Sequence, residues 1–281
     1  MSIPAVVAEN PLIEGLERLP VHPIALRDLI QNHLLQLLCH VAMEPPSRFA
    51  AEEVRNEKVK VLHAIQPPAP AEITRRAARG QYGPGVIGGD FVPGYLEEEG
   101  VPPSSTTETY AALRLSIDNW RWAGVPFYLR TGKRLTRKKT EIAVILRPVP
   151  HLSFAADGAA PVEPNKIVLS IQPDEGVSVS VAAKIPGPRM RLRPVLMQFV
   201  YGATFLSDSP EAYERLLLDA MRGDATLFTR DDEVEAQWRI CDPVLQEWHS
   251  LPGPLPQYPA GSQGPEEATR ILCPRHRWRA I

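Results

Sequence analysis

At 281 residues, 44% hydrophobic and with a formal net charge of −2, the chain has an ordinary globular composition and is long enough for one large domain or two. Its near-zero charge gives no whole-chain electrostatic case for nucleic acid or an anionic membrane, and no apolar run reaches the roughly 18 residues that a transmembrane helix needs. The three cysteines, Cys39, Cys241 and Cys273, stand in no disulfide or metal-ligand spacing, and the start lacks the basic flank and apolar run of a signal peptide, so a reduced, cytoplasmic setting without a metal is expected.

Residues 1–26 are broken up by Pro4, Pro11, Pro20 and Pro23 and read as loop or frayed strand. So irregular a start, directly before a strong core helix, carries the expectation that something is missing upstream. The helix begins near Leu26. Ile30, Leu34, Leu37, Leu38 and Val41 recur at helical spacing, and Pro45 and Pro46 stop it. His33 lies on the flank of this stripe, about 60° from its centre at 100° per residue. There an imidazole packs on one side and faces a cleft with the other, and its pKa near neutrality suits a general base. A flank histidine bonded to a backbone carbonyl fits the position too, and the stretch alone leaves both readings open. A second helix, Ala50–Ile65, turns Val54, Val61, Leu62 and Ile65 inward and ends at Pro67-Pro68. Its charges, Lys58 and Lys60 among them, read as a solvated face. Residues 69–107, rich in glycine and proline, read as a long surface excursion.

Strands follow. Thr109–Ile117 alternates through Tyr110, Leu113, Leu115 and Ile117, and Val125–Arg130 is a second run. The next segment, Arg130-Thr-Gly-Lys-Arg-Leu-Thr-Arg-Lys-Lys139, sets six cations in ten residues around a glycine-containing turn. Clustered Lys and Arg between strands suit a phosphorylated small molecule; a solvated or nucleic-acid-binding patch has the same composition, though without the interleaved aromatics of a single-strand binder. Glu141–Arg147, Lys166–Gln172 and Gly176–Ala183 are three more strands, and Met190–Tyr201 holds one or two. Strands that succeed one another without helices predict an antiparallel sheet. A helix over Ser209–Met221 is capped by Ser209 with Pro210 in its first turn. Another runs from Thr229 or Arg230 to Trp248, with Val234, Trp238 and Leu245 inward and a kink or break at Asp242-Pro243. The tail from Pro252 is irregular until a short helix from Pro265. The 30 prolines read as long ordered connections, since apolar periodicity persists between them.

No βαβ alternation is visible, so no dinucleotide-binding domain is expected; P-loop, His-Glu-x-x-His and G-x-S-x-G motifs are also missing. An ordered set of segments nevertheless resembles one family. It comprises Arg27-Asp-x-x-Gln-Asn-His33, Val41-Ala-Met-Glu-Pro45, Arg55-Asn-Glu-Lys-Val-Lys-Val61, Gly80-Gln-Tyr82, Gly94-Tyr95, Ser105-Thr-Thr107, Gly124-Val-Pro-Phe127, Arg130-Thr-Gly-Lys133, Gln172-Pro173 and Asp219-Ala-Met-x-Gly-Asp-x-Thr-Leu-Phe228. Each motif is weak, but their order and spacing over residues 24–264 are specific, and they look like the large carboxy-terminal domain of glucose-6-phosphate dehydrogenase.

The resemblance implies an α+β fold, a large, mostly antiparallel mixed sheet with helices packed on one face. It divides the chain into a divergent amino-terminal segment (residues 1–23), a carboxy-terminal-type domain (24–264) and a tail (265–281). The implied activity is NADP-linked oxidation of glucose 6-phosphate to 6-phosphogluconolactone. By resemblance His33 matches the general base, Asp28 a carboxylate on sugar hydroxyls, Lys133 and Lys138 residues that hold the substrate, Gln172 a sugar-side contact, and Glu14 a substrate-contacting glutamate. The segment that usually follows this glutamate is replaced by Leu16-Glu-Arg-Leu-Pro-Val-His-Pro23. Arg130 and Lys139 match residues that hold a second, structural NADP in animal members, but Ser170, Ser178 and Ser180 stand where that site needs Arg, Tyr and Lys, so no structural NADP is expected. The family's amino-terminal Rossmann domain, with its main phosphate contacts and the carboxylate that orients the base, has no counterpart here. The expectation is a chain that is inactive alone, a homo-oligomer through its sheet face, with neither nucleic acid nor membrane as partner; the alternative is a non-catalytic partner-binding or regulatory module.

Overall fold

The computed structural model describes residues 5–9, 25–149, 151, 162–205, 212–251 and 253–280. One nine-stranded sheet organises it. In chain order its strands are β1 (Ala5–Glu9), β2 (Ala77–Gly83), β5 (Tyr110–Ser116), β6 (Pro126–Gly132), β7 (Thr140–Ile145), β8 (Lys166–Gln172), β9 (Gly176–Lys184), β10 (Leu192–Val200) and β11 (Gln257–Pro259), and a separate hairpin holds β3 (Gly85–Ile87) and β4 (Asp90–Val92). The spatial order is β10-β9-β8-β7-β1-β6-β5-β2-β11. Only β1–β6 and β2–β11 are parallel; every other pair is antiparallel. The expected mixed, mostly antiparallel sheet is therefore present. The start of the chain supplies a central strand, since β1 pairs Val7 with Leu129 on one side and with Ile142 on the other.

The helices are α1 (Leu35–Ala42), α2 (Ala51–Ala64), α3 (Pro70–Arg76), α4 (Tyr201–Phe205), α5 (Ala212–Arg222) and α6 (Asp231–Ser250). A π-helical segment, Ala25–Leu34, runs directly into α1. The first helix is thus not one α-helix: its first ten residues wind wider, and Pro45-Pro46 then end it as expected. Leu26, Ile30, Leu34, Leu35 and Leu38 are buried with Val61, Leu62, Ile240 and Val244 against Leu113, Leu115, Phe127 and Leu129 of the sheet. Each such side chain, fully buried, contributes about 1.5–3 kcal/mol. The opposite parity of the same strands faces the other way. Tyr110 and Ala112 pack with Tyr82, Tyr258 and Ile271, while Tyr128, Ala143 and Val168 pack with Leu272, Cys273 and Trp278. Tyr110 therefore does not share a face with Leu113 and Leu115, because successive strand residues alternate.

Three expectations are corrected. Residues 69–107 are not simply a surface excursion. Pro70 opens α3, Glu72 accepts a bond from the Ala69 N–H, and the small residues that follow let β2 lie buried between β5 and β11. Of the kink or break expected at Asp242-Pro243, the break is absent, since α6 runs on to Ser250; burial of Ile240, Cys241, Val244 and Leu245 outweighs the roughly 3 kcal/mol of an interior proline. Val234 faces outward at 36% exposure, whereas Glu233 beside it is fully buried. Ser209 and Pro210 lie outside the described residues, as does Glu14.

Candidate functional site

The π-helical segment presents two polar candidates. Leu26, Leu29, Ile30, Gln31 and Leu34 are buried, and Arg27, Asp28, Asn32 and His33 are exposed. In an α-helix two residues five apart point about 140° apart at 100° per residue. Hydrogen bonding from i to i+5 widens the turn, and Asp28 and His33 both fall on the outward side. Crowding by surrounding protein holds the His33 imidazole below its ordinary pKa, and the Asp28 carboxylate partly opposes this. The segment is anchored at its first turn by Glu108, which sequence reading did not single out. The Glu108 carbonyl accepts from the Ala25 N–H at 3.2 Å and its carboxylate accepts from the Leu26 N–H at 3.2 Å. A carboxylate at a helix N-terminus satisfies free donors and meets the favourable end of the dipole. Burial pushes the Glu108 carboxyl upward, while the Leu26 N–H and the Arg79 charge pull the other way.

Lys133 follows β6. Its N–H donates to the Thr109 carbonyl at 2.8 Å, and its carbonyl accepts from the Tyr258 hydroxyl at 2.8 Å. The turn needs Gly132, because a Cβ there would stand 2.7 Å from the Tyr110 ring. Burial lowers the Lys133 pKa, and the carboxylates of Glu98 and Asp28 oppose it. Asp28 therefore acts on both His33 and Lys133, which ties these three into one electrostatic group. Lys138, on the loop, and Gln172, at the end of β8, stand together elsewhere. With Arg137, Lys139, Ser170 and Ser178 they line a cleft of about 280 Å³. The register of β7 and β8 brings Gln172 opposite Thr140, two residues after Lys138. The structure thus sets Lys138 and Gln172 on one cleft, while Asp28 and His33 share the outward side of the π-helical segment and Lys133 stands at the other end of the basic loop.

The other cations have different surroundings. Arg130 is 1% exposed, and its guanidinium lies over the Trp278 ring at 4.9 Å and donates to the Arg279 carbonyl. Lys139 pairs with buried Glu141 at 2.5 Å. Two of the recognised motifs have a mechanical reason. Gln81 of Gly80-Gln-Tyr82 donates from Nε2 to the carbonyls of Ser105 and Thr107, which fixes the Ser105-Thr-Thr107 stretch before β5.

The string Gly83-Pro-Gly-Val-Ile-Gly88 has the G-x-G-x-x-G spacing of a dinucleotide-binding turn, which corrects the reading of the sequence as lacking that motif. It runs from the end of β2 into the β3–β4 hairpin with no helix after it, so it cannot offer a phosphate a helix N-terminus. Among the described residues no group of three or more His, Cys, Asp or Glu is placed to hold a metal, and no helix is long and apolar enough to cross a membrane.

A family model described as glucose-6-phosphate dehydrogenase, C-terminal domain, matches residues 22–279. A glucose-6-phosphate 1-dehydrogenase of Chlamydia pneumoniae is 49% identical over 260 residues, covering 91% of this chain and 50% of the relative. One of Mycolicibacterium smegmatis is 49% identical over 249 residues, 88% of this chain and 50% of the relative. An X-ray crystal structure of glucose-6-phosphate 1-dehydrogenase from Mycobacterium avium superposes with a TM-score of 0.79 at 40% identity, over 99% of this chain and 55% of that one. A structure of glucose-6-phosphate dehydrogenase in complex with its substrate glucose-6-phosphate gives 0.78 at 36% identity, over 96% and 54%. The chain spans about half the length of the curated relatives it matches.

Proposed function

Because this chain belongs to the glucose-6-phosphate dehydrogenase family through its C-terminal domain, we propose that it supplies the substrate side of that oxidoreductase, acting on glucose 6-phosphate. The observation that carries this reading is the match to the C-terminal domain over residues 22–279, within which the winding of Ala25–Leu34 sets Asp28 and His33 together on its outward side. Oxidation at the sugar C1 removes the hydroxyl proton and a hydride. His33, held neutral near pH 7 by its lowered pKa, takes the proton. Asp28 accepts hydrogen bonds from sugar hydroxyls and steadies the imidazolium as it forms. Lys133 and Lys138 hold the phosphate as point charges from the two ends of one loop, with Gln172 and Glu14 as sugar-side contacts.

NADP is the hydride acceptor of the proposed reaction. The described residues do not fit it: they form no parallel strand–turn–helix unit, and their one glycine string enters a hairpin. We assign it none of them. We further propose a cytoplasmic enzyme that self-associates through the outer part of the sheet, where Leu196, Met197 and Phe199 of β10 are exposed.

The test is a titration of the chain with glucose 6-phosphate, followed by NMR, with glucose as the phosphate-free control. Binding that weakens about tenfold or more in Lys133→Ala and in Lys138→Ala is expected for lost charge-assisted contacts. Equal affinity in wild type and both variants, or equal affinity for glucose, contradicts the reading.

A further inference from the structure

The basic loop, residues 133–139, is held from outside by the last part of the chain. Its first half is bonded to residues 258–263. Besides the Tyr258–Lys133 bond, the Gly261 N–H donates to the Arg134 carbonyl at 2.7 Å, the Thr136 N–H donates to the Ser262 carbonyl at 3.0 Å, and Gln263 Nε2 donates to Thr136 Oγ1 at 2.8 Å. Its two roots, β6 and β7, are bound by the last described residues. At the β6 root, Trp278 lies under the Arg130 guanidinium at 4.9 Å, and the Arg279 carbonyl accepts from it. At the β7 root, Arg279 Nε donates to Glu141 Oε1 at 2.6 Å, while Lys139 holds the other oxygen, Oε2. Glu141 is 1% exposed, so losing either cation leaves a buried carboxylate short of a partner.

The segment is seated before it reaches these roots. The Trp278 Nε1–H donates to the Ala268 carbonyl at 3.0 Å, the Cys273 N–H donates to the Tyr128 hydroxyl at 2.9 Å, and that hydroxyl bonds His276 Nδ1 at 2.8 Å. A side chain reaching across from such a seat binds with little further ordering cost.

We propose that Trp278 and Arg279 are positioning residues for the basic loop, a brace that fixes its two roots and so sets the spacing of Lys133 and Lys138. The two cations lie five residues apart on an irregular turn that includes Arg134 at a φ of +54°. The distance between the ammonium groups depends on how this turn is held, by the bonds to residues 258–263 along its first half and by the anchoring of its two roots. This rests on the reading of the loop as the phosphate site, since only there does the spacing matter. Small displacements of substrate-holding groups carry large penalties.

The experiment uses the chain with Arg279→Ala, Arg279→Lys and Trp278→Ala, with circular dichroism to verify the fold. It measures hydrogen exchange of residues 133–141 and the NMR affinity for glucose 6-phosphate, with Lys138→Ala as reference. In Arg279→Ala, exchange of the loop should rise about tenfold while amides of α2 stay protected, and affinity should fall about tenfold. Arg279→Lys, which keeps the charge next to Glu141, should recover most of both, and Trp278→Ala should mimic Arg279→Ala. Unchanged loop exchange in Arg279→Ala overturns the brace. Faster exchange with unchanged affinity, where Lys138→Ala does lose affinity, overturns the positioning role while leaving the phosphate site intact. Unchanged affinity in Lys138→Ala removes the phosphate reading itself, and with it the role assigned to the brace.

Discussion

His33 has two neighbours that matter to its chemistry, the buried apolar face beneath it and the Asp28 carboxylate, and they push its pKa in opposite directions with the first prevailing. A base must be neutral to accept a proton, so in an enzyme completed by a coenzyme domain kcat/KM should rise through a pKa below 6.5 and then level off. Asp28→Asn removes the influence that raises the pKa. The acid limb of the rate profile should therefore move to lower pH in that variant, and a limb that stays put or moves up contradicts the pairing. His33→Asn keeps much of the shape but cannot take the proton, so kcat should drop by about 10² or more with KM nearly unchanged. A variant with near-full kcat rules His33 out as base. Glu108→Gln should act differently. It keeps an acceptor for the Leu26 N–H but loses the charge, so it should lower the stability of the first helical turn by about 0.3–1 kcal/mol, read as faster hydrogen exchange at Leu29 and Ile30.

Among the elements, α2 and α6 are locked together by one buried ion pair. Lys58 Nζ lies 2.7 Å from Glu233 Oε2, with side chains 3% and 0% exposed. Gln36 of α1 accepts from Lys58 at 3.0 Å and donates to Glu233 at 3.2 Å. The other oxygen of Glu233 accepts from the Arg230 N–H at the start of α6. Lys58→Met leaves a buried carboxylate unpaired and should destabilise the fold by about 3–5 kcal/mol in denaturant titrations, while Lys58→Met with Glu233→Leu should recover most of it. A single variant as stable as wild type contradicts this account. Much of the element pattern was legible: strands β5 to β10, the stop at Pro45-Pro46 and the existence of α2 and α6 all follow from periodicity and proline placement. The buried role of Lys58 was not, because in sequence a lysine among Glu53, Glu57 and Lys60 looks like a solvated face, and its partner lies 175 residues away. The π winding was not either, since the apolar stripe Ile30–Leu34–Leu38 is compatible with both helical pitches. Strand β2 was hidden by composition, because alanine and glycine carry no strand signal and are buried only through what packs over them.

At the scale of the whole molecule, the sheet is covered unevenly. Helices and the carboxy-terminal segments enclose β2, β5 and β6, whereas β10 is exposed almost throughout, and Tyr213, Leu217 and Met221 form an exposed apolar stripe on α5. The chain should self-associate in sedimentation runs, and Leu196→Glu with Leu217→Glu should shift it to monomer; a wild type that is monomeric at high concentration contradicts the proposed face. Three histidines, His33, His40 and His276, have pKa values lowered mainly by the protein crowded around them, which keeps water from the charged form. Between the folded and unfolded values of these three groups the unfolded chain binds more protons, so their contribution to stability is fully present above about pH 6.5 and is lost as pH falls through the folded values. The motifs that placed the candidate site were legible only as an ordered set, for each is two to seven residues long; what tied Asp28 to both His33 and Lys133 was the fold. The most direct measurement is NADPH formation from glucose 6-phosphate and NADP, followed by absorbance, with this chain alone, with an added amino-terminal coenzyme domain of a bacterial relative, and with His33→Asn in the same mixture. Turnover that requires both parts and falls about a hundredfold in His33→Asn is the predicted result; turnover by the mixture that is indifferent to His33→Asn, or none from any mixture of folded parts, contradicts the account.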